Sequence, residues 1–258
     1  MILIDTHAHL YMDEFDIDRE AVIQNAIRSG VKHILCPNID SGTLSALDSI
    51  CEKYPDYCHP MMGLHPTSVK EDYKTELEII RKRLFDSPPD MYKAIGEIGI
   101  DLYWDKTFES EQTEVFALQL EWAVTKNLPV AIHARNSFDS IMSVLQDFNT
   151  LKGVFHCFSG NISQAEQVVN KGFLLGIGGV VTFKNAGMDK VVQAMDLSNM
   201  ILETDAPYLA PVPFRGKRNE SAYISLIAQK IAQLKEVSYA EVSQITTNNA
   251  VKLFNLAV

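Results

Sequence analysis

Eight short apolar runs, each followed by a stretch of helical periodicity, leave this chain few folds to choose from. The runs cover residues 2–6, 32–36, 58–62, 93–96, 129–133, 153–156, 173–177 and 200–203. The helical stretches cover 18–29, 44–54, 75–85, 109–126, 138–148, 163–171 and 188–195, and a pair at 221–234 and 239–253 closes the sequence. Strands that alternate with helices predict parallel pairing, with the helices packed on the outside. Eight such units predict an α/β chain of the (β/α)8 TIM-barrel type, and a barrel of this kind needs ~250 residues. The chain has 258, so residues 1–258 read as a single barrel domain. An open, doubly wound sheet is the alternative architecture.

A barrel presents its chemistry at the C-terminal ends of its strands. Six metal-ligand side chains fall there: His7 and His9 after strand one, Glu97 after strand four, His133 at strand five, His156 at strand six and Asp205 after strand eight. Side chains alternate faces along a strand, so His7 and His9, two apart, both point into the mouth. Taken alone, each residue has a plain structural explanation: a buried histidine satisfied in the core, or a carboxylate capping a turn. Five of the seven histidines at strand ends, His65 among them, is a placement those explanations do not share.

Imidazole with carboxylate suits Zn, Mn, Fe, Ni or Co, and carboxylate with water suits Mg. Six ligands exceed one tetrahedral site and match a pair of ions roughly 3.5–4 Å apart. The expected arrangement puts one ion on His7, His9, Glu97 and Asp205. Glu97 bridges to a second ion on His133 and His156.

Net charge is 23 − 33 = −10, which excludes a protein that coats nucleic acid through a broad basic face. The densest cationic segment, Phe214-Arg215-Gly216-Lys217-Arg218-Asn219, follows Asp205 in the last long loop. A guanidinium there can grip phosphate in a fork. Arg135, two after His133, and Lys184 are further phosphate candidates. His65 in Gly63-Leu64-His65-Pro66 is a substrate-contact candidate, and Trp104 is a candidate to stack a base at the rim. Gly176-Ile177-Gly178-Gly179 lacks the Gly-Lys-Ser/Thr of a phosphate loop. Asp5 interrupts the apolar start, no basic segment precedes it, and no apolar run approaches ~20 residues, so neither a signal peptide nor a membrane span is expected. Cys36, Cys51, Cys58 and Cys157 show no CxxC spacing and read as free thiols of a cytoplasmic protein.

These motifs in this order resemble the TatD family of metal-dependent deoxyribonucleases. The resemblance rests on Asp5-Thr6-His7-Ala8-His9, Gly63-Leu64-His65-Pro66, Gly96-Glu97-Ile98-Gly99-Ile100-Asp101 and His133-Ala134-Arg135. It continues through His156-Cys157-Phe158-Ser159-Gly160, Gly178-Gly179-Val180-Val181-Thr182-Phe183-Lys184-Asn185, Glu203-Thr204-Asp205-Ala206-Pro207 and Arg215-Gly216-Lys217-Arg218-Asn219. It implies hydrolysis of phosphodiesters in DNA, and of RNA as a second substrate, from the 3′ end of single strands, through a water activated by two divalent ions per chain. Metal ligation carries over to His7, His9, Glu97, His133, His156 and Asp205. Asp205 is also the expected proton acceptor, and Glu203 matches an acid standing behind the ligands.

Asn136-Ser137, Thr67 and Ser221 depart from the family's usual residues, which touches substrate contacts and not the ligand set. Neither a membrane nor a stable protein partner is expected. Two competing readings are hydrolysis of amide, lactone, phosphotriester or aminoacyl-ester bonds on the same barrel, and a non-catalytic metal-binding module.

Overall fold

The structure is a computed structural model that describes residues 1–257. Among the described residues the eight expected strands all form: β1 (Leu3–Asp5), β2 (Val31–Pro37), β3 (Cys58–Met61), β4 (Ile95–Asp101), β5 (Val130–Arg135), β6 (Gly153–Phe155), β7 (Leu174–Ile177) and β8 (Met200–Leu202). Between and after them lie α1 (Arg19–Arg28), α2 (Leu44–Lys53), α3 (Tyr73–Asp86), α4 (Glu109–Lys126), α5 (Phe138–Leu145), α6 (Ile162–Asn170), α7 (Met188–Ala194), α8 (Ile224–Lys235) and α9 (Tyr239–Phe254). Every strand pair is parallel and joins neighbours in sequence order. The ladder runs as β1-β2-β3 and as β4-β5-β6-β7-β8. One isolated parallel bridge spans each seam, Met62 with Ile95 and Ala8 with Ala206. The architecture is that of a TIM barrel whose ladder is interrupted at two seams.

The apolar residues divide into two shells because alternate side chains on each strand face opposite ways. The outer shell fills the space between strands and helices and holds the large residues, such as Phe15, Phe116, Phe155 and Phe173. The inner shell collects about one residue per strand, including Ile4, Leu35, Met61, Ala131, Val154 and Ile201. α9 closes the floor beneath it with Ala250, Phe254 and Leu256. Phe254 is 1% exposed, and burying such a ring stabilises the fold by about 1.5–3 kcal/mol. No helix among the described residues is long and apolar enough to cross a membrane.

Strand four differs from its expected bounds of 93–96. It extends through Asp101, so Glu97 lies within the strand and not after it. Gly99 permits this: its φ is +149°, and a Cβ there would meet the His133 carbonyl oxygen. Only glycine lets β4 lie this close to β5.

A histidine pair lies under the barrel. His33 Nε2 donates to the Ala257 carbonyl at 2.8 Å, which leaves its Nδ1 to accept from His59 Nε2, also at 2.8 Å. Burial, then the neighbouring His33 and Lys93, push His59 from its ordinary 6.5 down to about 4. The unfolded chain therefore takes up this proton near 6.5 and the folded chain only near 4. Stability from this group is full above pH 6.5 and declines as pH falls towards 4. Thermal melts across that window are expected to lose stability more steeply in the wild type than in His59→Gln. Parallel slopes would exclude the pair as an acid-sensitive point.

Candidate metal centre

The strand ends gather the imidazoles and carboxylates around Glu97. Its Oε2 lies 3.0 Å from His7 Nε2 and 3.5 Å from His9 Nε2. Its Oε1 lies 2.7 Å from His133 Nδ1, 3.1 Å from His156 Nε2 and 3.2 Å from His65 Nε2. The two oxygens of one carboxylate thus face two groups of nitrogens. Asp205 approaches from the far side, 3.8 Å from His9 Nε2, and forms a compact donor group with His7 and His156. Two more such groups exist, His7-His9-Glu97 and His65-Glu97-His133.

Local structure explains the convergence. His7 and His9 are two apart after β1 and share one face, as alternation requires. Arg19 fixes the loop that follows them, donating to the carbonyls of Leu10, Tyr11 and Met12 at 2.8–3.0 Å. Asp205 sits in the left-handed region at φ +56°, as does Cys157 at +45° just after His156. Such conformations are uncommon for residues other than glycine and collect at functional sites. Asp5, fully buried, fastens both ends of this seam: one oxygen accepts from the Thr204 amide at 2.9 Å and the other from the Thr204 hydroxyl at 2.6 Å.

The donor set fits divalent ions. A ligating histidine holds its outward nitrogen to a second group, which fixes the ring and its tautomer. Three rings here do so. His9 Nδ1 meets the Tyr11 hydroxyl at 3.0 Å, His133 Nε2 meets Asp101 at 2.8 Å, and His156 Nδ1 meets Glu203 at 3.1 Å. The outward Nδ1 of His7 is buried without a partner.

Charge in the cluster is balanced by mutual pairing. Burial alone would raise Glu97, but His156, His65, His7 and the His133 bond outweigh it and hold the carboxyl well below its usual range. Burial likewise opposes protonation of His156, yet Glu97 and Glu203 keep it well above its ordinary value. His7 lies well below its ordinary value, through burial and then its neighbour His156, whose ring stacks on it at 3.6 Å. Burial pushes Asp205 up to about 6 against the pull of His156 and His9. The Cys157 thiol is driven up by burial and then Asp205, so it is protonated and a poor nucleophile near neutrality.

The structure brings the six candidate ligands together, with Glu203 behind His156. The structure adds detail at three positions. His65, anticipated as a substrate contact, lies inside the donor cluster against Glu97. Asp205 groups with His7 and His156 and also lies 3.8 Å from His9 Nε2. Arg218, part of the anticipated phosphate-gripping segment, is committed elsewhere: it forks onto Asp18 at 2.6 and 2.7 Å. Arg215 and Lys184 are exposed, and Arg215 rests 4.5 Å from the Phe183 ring centre.

Asp101 and Tyr11 are partners of the site that the sequence reading passed over. The spacing Glu97-Gly99-Asp101, all on one face of an extended strand, carries the signal for Asp101. Asp101→Ala is expected to weaken metal binding by about 10–100-fold, measured by titration of the stripped protein. Unchanged affinity would show that His133 does not depend on it.

Parallel strands carrying imidazoles and carboxylates at their C-terminal ends define a metal-dependent hydrolase of the TIM-barrel class. Residues 4–255 match the family model described as TatD related DNase. The chain belongs to the TatD family. It is 37% identical to a Bacillus subtilis protein described as uncharacterized metal-dependent hydrolase YabD, over 99% of this chain and all of that one. It is 32% identical to human deoxyribonuclease TATDN3, over 98% of this chain and 94% of that one. Among solved structures, the TatD homologue YjjV of Escherichia coli superposes with a TM-score of 0.92 at 30% identity, over 99% of this chain and 98% of that one.

Proposed function

We propose that this hydrolase is a deoxyribonuclease that shortens single-stranded DNA from the 3′ end, with RNA as a second substrate. The observation that carries the reading is Glu97, one buried carboxylate whose two oxygens face separate groups of imidazoles at the mouth of the barrel. In this reading Glu97 would be a ligand shared by both halves of the centre. His7, His9 and Asp205 complete one side, and His133 and His156, with His65 beside them, complete the other. Two bound divalent ions of the Mg, Mn or Zn kind supply a polarised phosphoryl oxygen and a water of lowered pKa.

Asp205 orients the attacking water and accepts its proton. The water oxygen bonds to phosphorus, a bridging P–O bond breaks, and the leaving oxygen takes up a proton from solvent, to which Asp205 returns its own. Arg135, Arg215 and Lys184 neutralise phosphate charge as it shifts. The cations of the centre and these side chains make the mouth locally positive in a chain of net charge −10.

The test is cleavage of end-labelled single-stranded DNA by stripped protein reloaded with Mg, Mn, Zn or Co, beside an EDTA control. Metal-dependent shortening from the 3′ end supports the proposal. Full metal loading without cleavage by any of the four overturns it and moves the search to other esters and to amides.

A further inference from the structure

Large apolar side chains are mostly covered in this protein, but the turn after β4 holds two aromatic rings in solvent. Tyr103 is 53% exposed and Trp104 72%. Their ring centres lie 4.8 Å apart, with the planes perpendicular. Arg135, the last residue of β5, lays its guanidinium 3.9 Å from the Tyr103 ring centre and 5.2 Å from that of Trp104. Arg83 and Arg218 pair with Asp48 and Asp18, whereas Arg135 has no carboxylate partner among the described residues. Its N–H groups are uncommitted, and its plane is held by the rings alone.

The turn is fastened to the metal centre. The Leu102 amide donates to the Arg135 carbonyl at 2.9 Å. The Tyr103 amide donates to one oxygen of Asp101 at 2.9 Å, and the other oxygen of Asp101 holds His133. A single carboxylate therefore sets both the ring of a candidate ligand and the start of the aromatic pair. Exposed aromatic rings kept in place beside a free guanidinium suit an unstacked base together with its phosphate, since any base offers a π-face and the cation meets the backbone. A base inside a duplex has both faces covered by its neighbours and offers none to Trp104.

We infer that Trp104 and Tyr103 form a stacking platform for an unpaired nucleobase, with Arg135 meeting the adjoining phosphate. The inference rests on the nuclease reading of the neighbouring centre and names the side chains that hold the strand beside it.

Binding to the full chain in EDTA tests the platform apart from hydrolysis. The second tryptophan, Trp122, is 7% exposed, so ligand quenching of fluorescence reports Trp104. The probes are oligothymidylate and an abasic phosphodiester strand of equal length. Oligothymidylate is expected to quench and to bind about tenfold more tightly than the abasic strand. Trp104→Ala is expected to erase that preference and Trp104→Phe to keep most of it. Equal affinity for the two strands in the wild type, or a preference retained in Trp104→Ala, would overturn the platform. A protein that keeps the preference but cleaves no phosphodiester when reloaded would overturn the nuclease reading alone. Cleavage of both strands with equal affinity would overturn the platform alone.

Discussion

Glu97→Ala is expected to lose bound metal and turnover together. Glu97 is within 3.5 Å of five imidazoles, and among the described residues it is the one carboxylate that pairs within that distance with both groups. Removing it leaves the two groups of ligands with no shared anion to offset the charge of two close cations. Metal catalysis of this kind supplies several kcal/mol, so the rate is expected to fall by about a thousandfold or more. A second readout is independent of substrate. Metal should raise the melting temperature of the wild type, since it binds the folded state alone, and should leave that of Glu97→Ala nearly unmoved. A variant that holds two ions per chain and turns over normally would end the bridging assignment.

Asp205→Asn is expected to keep the fold and the metal while losing about 10²–10⁴-fold in turnover, the usual worth of a positioned base. The substitution is unusually clean. Asparagine has the shape of aspartate and tolerates the left-handed backbone found here, φ +56°, so the chain has no reason to rearrange. What changes is the ability to accept a proton. In the metal-free site burial raises that carboxyl to about 6, and bound cations would draw it lower, so it is ionised at neutrality. The acid limb of the pH–rate profile should flatten in the variant. Turnover within a fewfold of wild type would remove Asp205 from proton transfer and leave it a ligand only.

The sequence disclosed the strands and the ligands for the same reason: both follow a period of two. Ile4, Leu35 and Ile201 face inward and alternate with residues facing the helices, and His7 and His9 obey the same rule at the mouth. Legibility ended where the period was broken by glycine. Gly96 and Gly99 make β4 look finished in the sequence, which places Asp101 beyond the strand end. Only the packing of Gly99 against the His133 carbonyl reveals that the strand continues.

His65 was hard to place for a different reason. It follows β3 by several residues, in the turn opened by Pro66, and no local spacing says that this turn folds back to Glu97. The commitment of Arg218 to Asp18, 200 residues away in sequence, was equally beyond any local pattern.

The floor of the barrel has a consequence for how the protein is made. α9 supplies Ala250, Phe254 and Leu256 to the inner shell, and it is translated after all eight strands. While the ribosome still holds these residues, Ile4, Leu35 and Met61 line a cylinder open to water from below. β1 also waits for the β8 seam, where the Thr6 amide donates to the Leu202 carbonyl. His7 and His9 are among the earliest residues synthesised, yet Asp205, their neighbour in the centre, emerges nearly 200 residues later. The nascent chain therefore carries scattered ligands without a site until Asp205 has joined His7 and His9.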